Sequence, residues 1–322
     1  GTMTGGIIRI FVAVVAIIIA SIILNSTIAS WDKDEMAGSI FMCFIAGVII
    51  CASIYFIING IKMIIDGKKV REDKLKDLKA RIDALDKKLT LVVVKVGNDE
   101  ASGVYVKQKE RLAKELGVNF ISRVLPSDVT ESELISVINE YNMDKLVNGI
   151  IVQLPLPKHI NETRIINSID VNKDVDGLTI LNTGKLFQNM DTLVSCTSSG
   201  IIDMLDYYNI KVSGKNAVVI GRSLLVGKPV SMLLNNRNAT VTMCHSKTEN
   251  LSEITRKADI IVIAIGVPNF LTSDMVKEGA VVIDVGINRV NGKLVGDAAF
   301  EELKEKCSYI TSTWWCWTDD SI

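Results

Sequence analysis

The 322 residues carry 36 Lys and Arg against 37 Asp and Glu, a net charge of −1, so no basic surplus marks a nucleic-acid surface. Six cysteines without a Cys-x-x-Cys pair, and only His159 and His245, exclude a zinc module or a disulfide scaffold and predict reduced thiols and no metal site. The length accommodates two domains.

Residues 7–24 and 39–59 are almost unbroken apolar stretches, each near the roughly 20 residues that cross a bilayer. Asp32, Asp34 and Glu35 lie between them, and Lys68, Lys69, Arg71 and Lys74 follow the second. Positive charge stays inside, so residues 1–62 predict a transmembrane hairpin or an upstream fusion that leaves the rest of the chain on the cytoplasmic side.

From Met63 the composition is that of an α/β protein. Leu75, Leu78, Ile82 and Leu85 recur at helical spacing and predict an amphipathic helix over 69–89. Strand and helix then alternate: strand 89–96, helix 104–116, strand 119–124, helix 131–142 and strand 149–153. A linking helix near 201–208 leads to a second set of strands at 217–220, 239–244, 260–265 and 280–285. The pattern predicts a two-domain α/β fold with parallel sheets, divided into 63–195 and a Rossmann-like 196–311, with a tail at 312–322.

The strand at 217–220 runs into Gly221, Arg222, Ser223 and, four residues on, Gly227. This predicts a strand, a phosphate-binding turn and a helix whose free amides face the phosphate, although the spacing departs from Gly-x-Gly-x-x-Gly. The next strand ends in His245-Ser246-Lys247-Thr248 rather than in an acid. An acid there would bind a ribose hydroxyl, whereas Arg222 with Ser246 suits a 2′-phosphate, so the expected cofactor is NADP.

In the first domain, Tyr105 and Lys109 sit one turn apart at the start of a helix that follows a strand and Gly97. Gln153 closes the strand at 149–153, and ligands of open α/β sheets bind at such carboxyl ends, so Gln153 is expected to approach Lys109. Asp174 and Asp176 offer carboxylates at a turn.

Together, residues 96–109, 149–157, 173–177, 221–229, 239–248 and 282–288 resemble the bifunctional methylenetetrahydrofolate dehydrogenase/cyclohydrolase family in order and spacing. The resemblance runs from about residue 63 to 311. It implies NADP-dependent oxidation of methylenetetrahydrofolate to methenyltetrahydrofolate and hydrolysis to formyltetrahydrofolate, within one-carbon metabolism and purine biosynthesis, by a homodimer. By motif, Lys109 is the catalytic lysine, Tyr105 packs against the folate, Gln153 hydrogen-bonds the lysine and Asp176 holds the pterin. Gly221, Arg222, Ser223, Ser246 and Ile287 bind NADP. A membrane-tethered binder without turnover, and a dehydrogenase lacking the cyclohydrolase step, are the competing readings.

The chain leaves the family pattern in three places. Ser195-Cys196-Thr197-Ser198 stands where the family has Pro-Cys-Thr-Pro, so a looser corner is expected. The apolar hairpin has no counterpart in the soluble family. After Thr311 the family continues Pro-Val-Pro-Gly-Gly-Val-Gly-Pro-Met-Thr, whereas this chain reads Ser312-Thr313-Trp314-Trp315-Cys316-Trp317. The codons TGG TGG TGY TGG, followed by ACN for Thr318, read Gly-Gly-Val-Gly one base on when Y is T, which predicts a frame slip at or just before Thr311.

Overall fold

The computed structural model describes residues 63–311. The stretches 7–24 and 39–59 and the altered end at 312–322 lie outside the described residues. Among the described residues no helix is long and apolar enough to cross a membrane.

The first half is built on a parallel three-stranded sheet of β2 (Thr90–Val96), β3 (Asn119–Leu125) and β4 (Gly149–Val152), in the order β3-β2-β4. The central strand is apolar on both faces because both are covered. Val92, Val94 and Val96 pack with Leu134, Ile138 and Ile150 on one side, and Val93 packs with Val106 and Ile151 on the other. Helix α1 (Gly67–Asp83) precedes the sheet, α2 (Glu100–Leu116) joins β2 to β3, and α3 (Glu131–Met143) joins β3 to β4. Helix α2 starts four residues before its apolar periodicity does, because Asp99 caps it by accepting from Ser102 N at 2.7 Å. Thr130 and Glu133 form a reciprocal capping box at the start of α3.

After the short α4 (Glu162–Ile166), helices α5 (Ile180–Phe187) and α6 (Cys196–Tyr207) lead to the second sheet. It comprises β1 (Met63–Ile65), β5 (Asn216–Ile220), β6 (Thr240–Cys244), β7 (Ile260–Ile263), β8 (Val281–Asp284) and β11 (Tyr309–Thr311), in the order β1-β11-β8-β7-β5-β6. Every neighbouring pair is parallel. Helix α7 (Gly227–Asn236) crosses from β5 to β6 and α8 (Leu251–Thr255) from β6 to β7. A hairpin of β9 (Asn288–Val290) and β10 (Lys293–Val295) precedes α9 (Phe300–Leu303).

Two expectations change. Residues 63–65, read as the head of the first domain, pair with Tyr309–Thr311 and extend the second sheet instead. Helix α1 also ends at Asp83 rather than residue 89, and Leu78 and Leu85 stay exposed. Buried Val70 joins the core cluster of Ile201, Ile202 and Leu205 on α6, and polar contacts add to it: Tyr207 Oη donates to Asp73 Oδ2 at 2.7 Å, and Lys74 Nζ lies 2.8 Å from Asp203 Oδ1. Because the strands of each sheet run the same way, their carboxyl ends gather on one side, where open α/β sheets bind ligands.

Candidate active site

At the carboxyl end of β2 the chain turns at Gly97, whose φ of +76° lies in the left-handed region, and enters α2. That helix carries half-buried Tyr105 and, one turn later, Lys109. Strand β4 runs alongside, and Gln153 N donates to Val94 O at 2.8 Å, so the glutamine leaves the sheet beside the helix. Lys109 Nζ then donates to Gln153 Oε1 at 3.1 Å, while Gln153 Nε2 donates to Leu154 O at 3.0 Å. The second bond fixes which end of the amide faces the lysine. The expected approach of Lys109 and Gln153 is therefore present, across 44 residues of sequence.

The two aspartates of the 173–177 turn are separated by their surroundings. Asp174 is buried and accepts from Thr179 N at 2.9 Å, Leu178 N at 3.2 Å and Asn182 Nδ2 at 2.9 Å, so its oxygens are spent inside the fold. Asp176 is the one that shares a field with Lys109. Burial pushes its carboxyl above the usual carboxylate range, Lys109 opposes that rise and Asp174 adds to it. The following Gly177, at φ +63°, has no room for a Cβ, which would stand 2.2 Å from Leu193 O.

Cys196 belongs to the same place, although its sequence carried no signal beyond a reduced thiol. Its side chain borders open space, yet the dense protein on its other sides pushes the thiol up, with Asp176 adding and Lys109 opposing. Among the described residues no group of three or more His, Cys, Asp or Glu is placed to hold a metal ion.

The cofactor candidates lie at the carboxyl ends of β5 to β8. Ile220 is paired with Cys244, and Gly221 N donates to Cys244 O at 2.9 Å, so Gly221-Arg222 and His245-Ser246 leave the sheet side by side. Arg222 and Ser246 are both exposed there. Gly221 has φ +126° and lies so close to the next loop that a Cβ would stand 2.5 Å from Ala264 O. A Cβ on Gly227, the first residue of α7, would stand 2.3 Å from Gly221 O. Ser223 Oγ accepts from Val226 N at 3.1 Å and Gly227 N at 3.3 Å, so it shapes the turn from within. Ile287 is exposed in the loop after β8.

The corner at 195–198 is tied down rather than loose. Ser195 and Ser198 are buried with hydroxyls 2.9 Å apart, and Ser195 Oγ donates to Leu225 O at 2.6 Å, inside the turn between Gly221 and Gly227. Two hydroxyls at the positions of two rings exchange conformational stiffness for hydrogen bonds.

Comparison with known proteins agrees with this geometry. Residues 65–176 match the family model for the tetrahydrofolate dehydrogenase/cyclohydrolase catalytic domain, and residues 195–314 match the model for its NAD(P)-binding domain. The chain is 50% identical over 256 residues to the bifunctional protein FolD of Clostridium novyi, covering 78% of this chain and 91% of that one. It is 51% identical over 252 residues to the protein of the same name from Bacillus subtilis, covering 77% and 89%. Among solved structures, the bifunctional FolD dehydrogenase/cyclohydrolase of Campylobacter jejuni superposes with a TM-score of 0.74 at 44% identity, covering 77% of this chain and 90% of that one. The Trypanosoma brucei FolD, solved with NADP and an inhibitor, gives 0.74 at 33% identity, covering 78% and 90%.

Proposed function

The chain belongs to the tetrahydrofolate dehydrogenase/cyclohydrolase family, and from that premise we propose how its own residues divide the two reactions. The activities are NADP-dependent oxidation of methylenetetrahydrofolate to methenyltetrahydrofolate and hydrolysis of that product to formyltetrahydrofolate. The observation that carries the reading is the Lys109–Gln153 contact at the carboxyl ends of β2 and β4, with Asp176 in the same field.

In the oxidation no protein group has to take up the departing hydrogen. NADP, when bound, supplies the hydride acceptor. What the protein contributes is placement. The donor set at β5 and β6 fits this cofactor, because an exposed guanidinium and an exposed hydroxyl leave the sheet side by side, with no acid at the end of β6. Gly221, Arg222, Ser223, Ser246 and Ile287 hold it, while Tyr105 lies along the folate and Asp176 binds its pterin.

In the hydrolysis, water adds to the methenyl carbon and one C–N bond breaks. Lys109 moves the proton between the attacking water and the leaving nitrogen, and Gln153 keeps the amine aimed at that carbon. Replacing Lys109 with Met keeps the stem and removes the amine. Hydrolysis of methenyltetrahydrofolate is expected to fall by about 10²-fold or more, with NADP binding retained. Unchanged hydrolysis in that variant rules out the assignment.

The hydropathy of 7–24 and 39–59 supports a membrane hairpin with the catalytic portion on the cytoplasmic side, and family kinship supports a homodimer. Retention of the full chain in carbonate-washed membranes is the expected result, and release into the wash counts against the hairpin. Light scattering tests the dimer: a mass of twice the chain is expected, and the mass of one chain counts against it. The codon pattern supports the frame slip, and three indoles cannot replace glycines where backbone must come close to a ligand. Restoring the glycine-rich sequence after Thr311 is expected to raise turnover, and equal turnover by both versions counts against that reading.

A further inference from the structure

Behind the cofactor cleft, Asp297 ties together two loops that are distant in sequence. It is fully buried, just beyond β10. Its Oδ2 accepts from Ile265 N at 2.7 Å and Gly266 N at 2.9 Å, in the loop after β7. Its Oδ1 accepts from Asn288 Nδ2 at 2.8 Å, at the end of the loop after β8.

Asp284 holds this carboxylate in place. From the end of β8 it accepts Gly286 N at 2.9 Å and Asp297 N at 3.0 Å through Oδ1, and Ala298 N at 2.9 Å through Oδ2. Gly286 and Gly296 leave room for the two acids. A Cβ on Gly286 would stand 2.1 Å from Asp297 Cγ, and one on Gly296 would stand 1.9 Å from Asp284 Oδ2.

The loops joined in this way lie across the cofactor cleft from the phosphate-specific end. Arg222 and Ser246 sit at β5 and β6, on one side of the strand order, while Asp297 reaches the ends of β7 and β8 on the other. The loop after β7 also touches the phosphate turn, since a Cβ on Gly221 would lie 3.6 Å from Ile265 Cγ2. A dinucleotide anchored at Arg222 and Ser246 therefore extends its other half over the joined loops. There Val267 and Ile287 stay 44% and 41% exposed, each an aliphatic side chain on one of the two loops. The flat face of a nicotinamide ring gains by covering such aliphatic surface.

Resting on the cofactor reading above, we propose that Asp297 is a positioning residue for the nicotinamide half of the cofactor. It locks the loop after β7 to the loop after β8, so that Val267 and Ile287 are held ready for the ring. The carboxylate itself stays buried behind them.

The test compares the full chain with its Asp297→Ala and Asp297→Asn variants. NADP and 2′,5′-ADP, a fragment that keeps the 2′-phosphate and lacks nicotinamide, are titrated by calorimetry, and the hydrolysis of methenyltetrahydrofolate is followed alongside. Asp297→Ala is expected to weaken NADP roughly tenfold, with lower dehydrogenase kcat, because three hydrogen bonds between the loops are lost. Binding of 2′,5′-ADP and hydrolysis should stay unchanged. Asp297→Asn should recover most of the NADP affinity, since its carbonyl can accept both amides while its NH2 donates to a reversed Asn288 amide. Equal weakening of NADP and 2′,5′-ADP would show a merely structural role and overturn the proposal, as would unchanged NADP binding in the Ala variant. If the unaltered chain bound neither ligand, the cofactor reading would fall and this assignment with it.

Discussion

As the proposed 2′-phosphate site, Arg222 and Ser246 would choose a cofactor with little side-chain chemistry. Both leave neighbouring parallel strands at the same level, so a guanidinium and a hydroxyl can converge on one phosphate. Hydrogen bonds to charged groups contribute about 1.5–3 kcal/mol each. The Arg222→Ala, Ser246→Ala double variant should therefore raise the KM for NADP by about 10²-fold or more while leaving any activity with NAD nearly unaltered. Equal losses for both cofactors in parallel kinetics would remove these residues from the phosphate site. Asp174 and Asp176 make the complementary point. Two identical side chains in one turn are divided by burial and amide donors into a fold-holding acid and one that feels the charge of the lysine.

The elements around the cleft are joined by polar contacts as much as by packing. The start of α6 is fastened to the phosphate turn through Ser195, Ser198 and Leu225 O, which places the corner after the 173–177 turn in contact with the loop that would hold the cofactor. Removing both hydroxyls leaves a carbonyl without its donor, at a cost of about 1–3 kcal/mol. The Ser195→Ala, Ser198→Ala variant is expected to melt several degrees lower and to bind NADP less tightly. An unchanged melting temperature would mean that the hydroxyls contribute nothing beyond filling the positions. Helix α1 follows the same principle at its contact with α6, where tyrosine and lysine pairings operate and its leucines stay partly in water.

Over the whole molecule, the buried acid Asp284 couples stability to pH. Desolvation, with a smaller push from the charge on Asp297, raises its carboxyl to about 6 against the bonds from Ala298, Asp297 and Gly286 amides. An acid whose folded value lies above its unfolded value of 3.8 binds protons more readily when folded, so its contribution is complete below 3.8 and is lost as pH rises through about 6. Lowering the pH from ~7.5 to ~5 should add about 1.4 kcal/mol to stability through this group. Asp284→Asn removes the titration and puts an NH2 against amide donors, so the variant should be less stable at both values. Its deficit relative to the unaltered chain should widen by that amount at the lower pH. Denaturant melts of both proteins at the two pH values measure the difference, and a deficit independent of pH would show that Asp284 does not titrate in this range.

Much of this molecule is readable along the chain, because a parallel strand covered on both faces must be a continuous apolar run and its helices must carry an apolar stripe. That logic places β2, β4, β5, β7 and β8 to within a residue or two, and it puts Gln153, Gly221 and Arg222 at strand ends where ligands bind, with Lys109 on the helix that follows β2. Local pattern cannot say what a short edge strand pairs with, so the place of Met63–Ile65 beside Tyr309–Thr311 was decided by the assembled sheet. Nor can it tell a spent carboxylate from an available one. Asp174 differs from Asp176, and Asp297 differs from any exposed aspartate, only through the amides and charges that other segments bring to them. The hydroxyl corner at Ser195 and Ser198 looked loose for the same reason: its partner, Leu225 O, lies 30 residues away. Apolar periodicity is a property of neighbours in sequence, whereas hydrogen-bond satisfaction and desolvation are properties of neighbours in space.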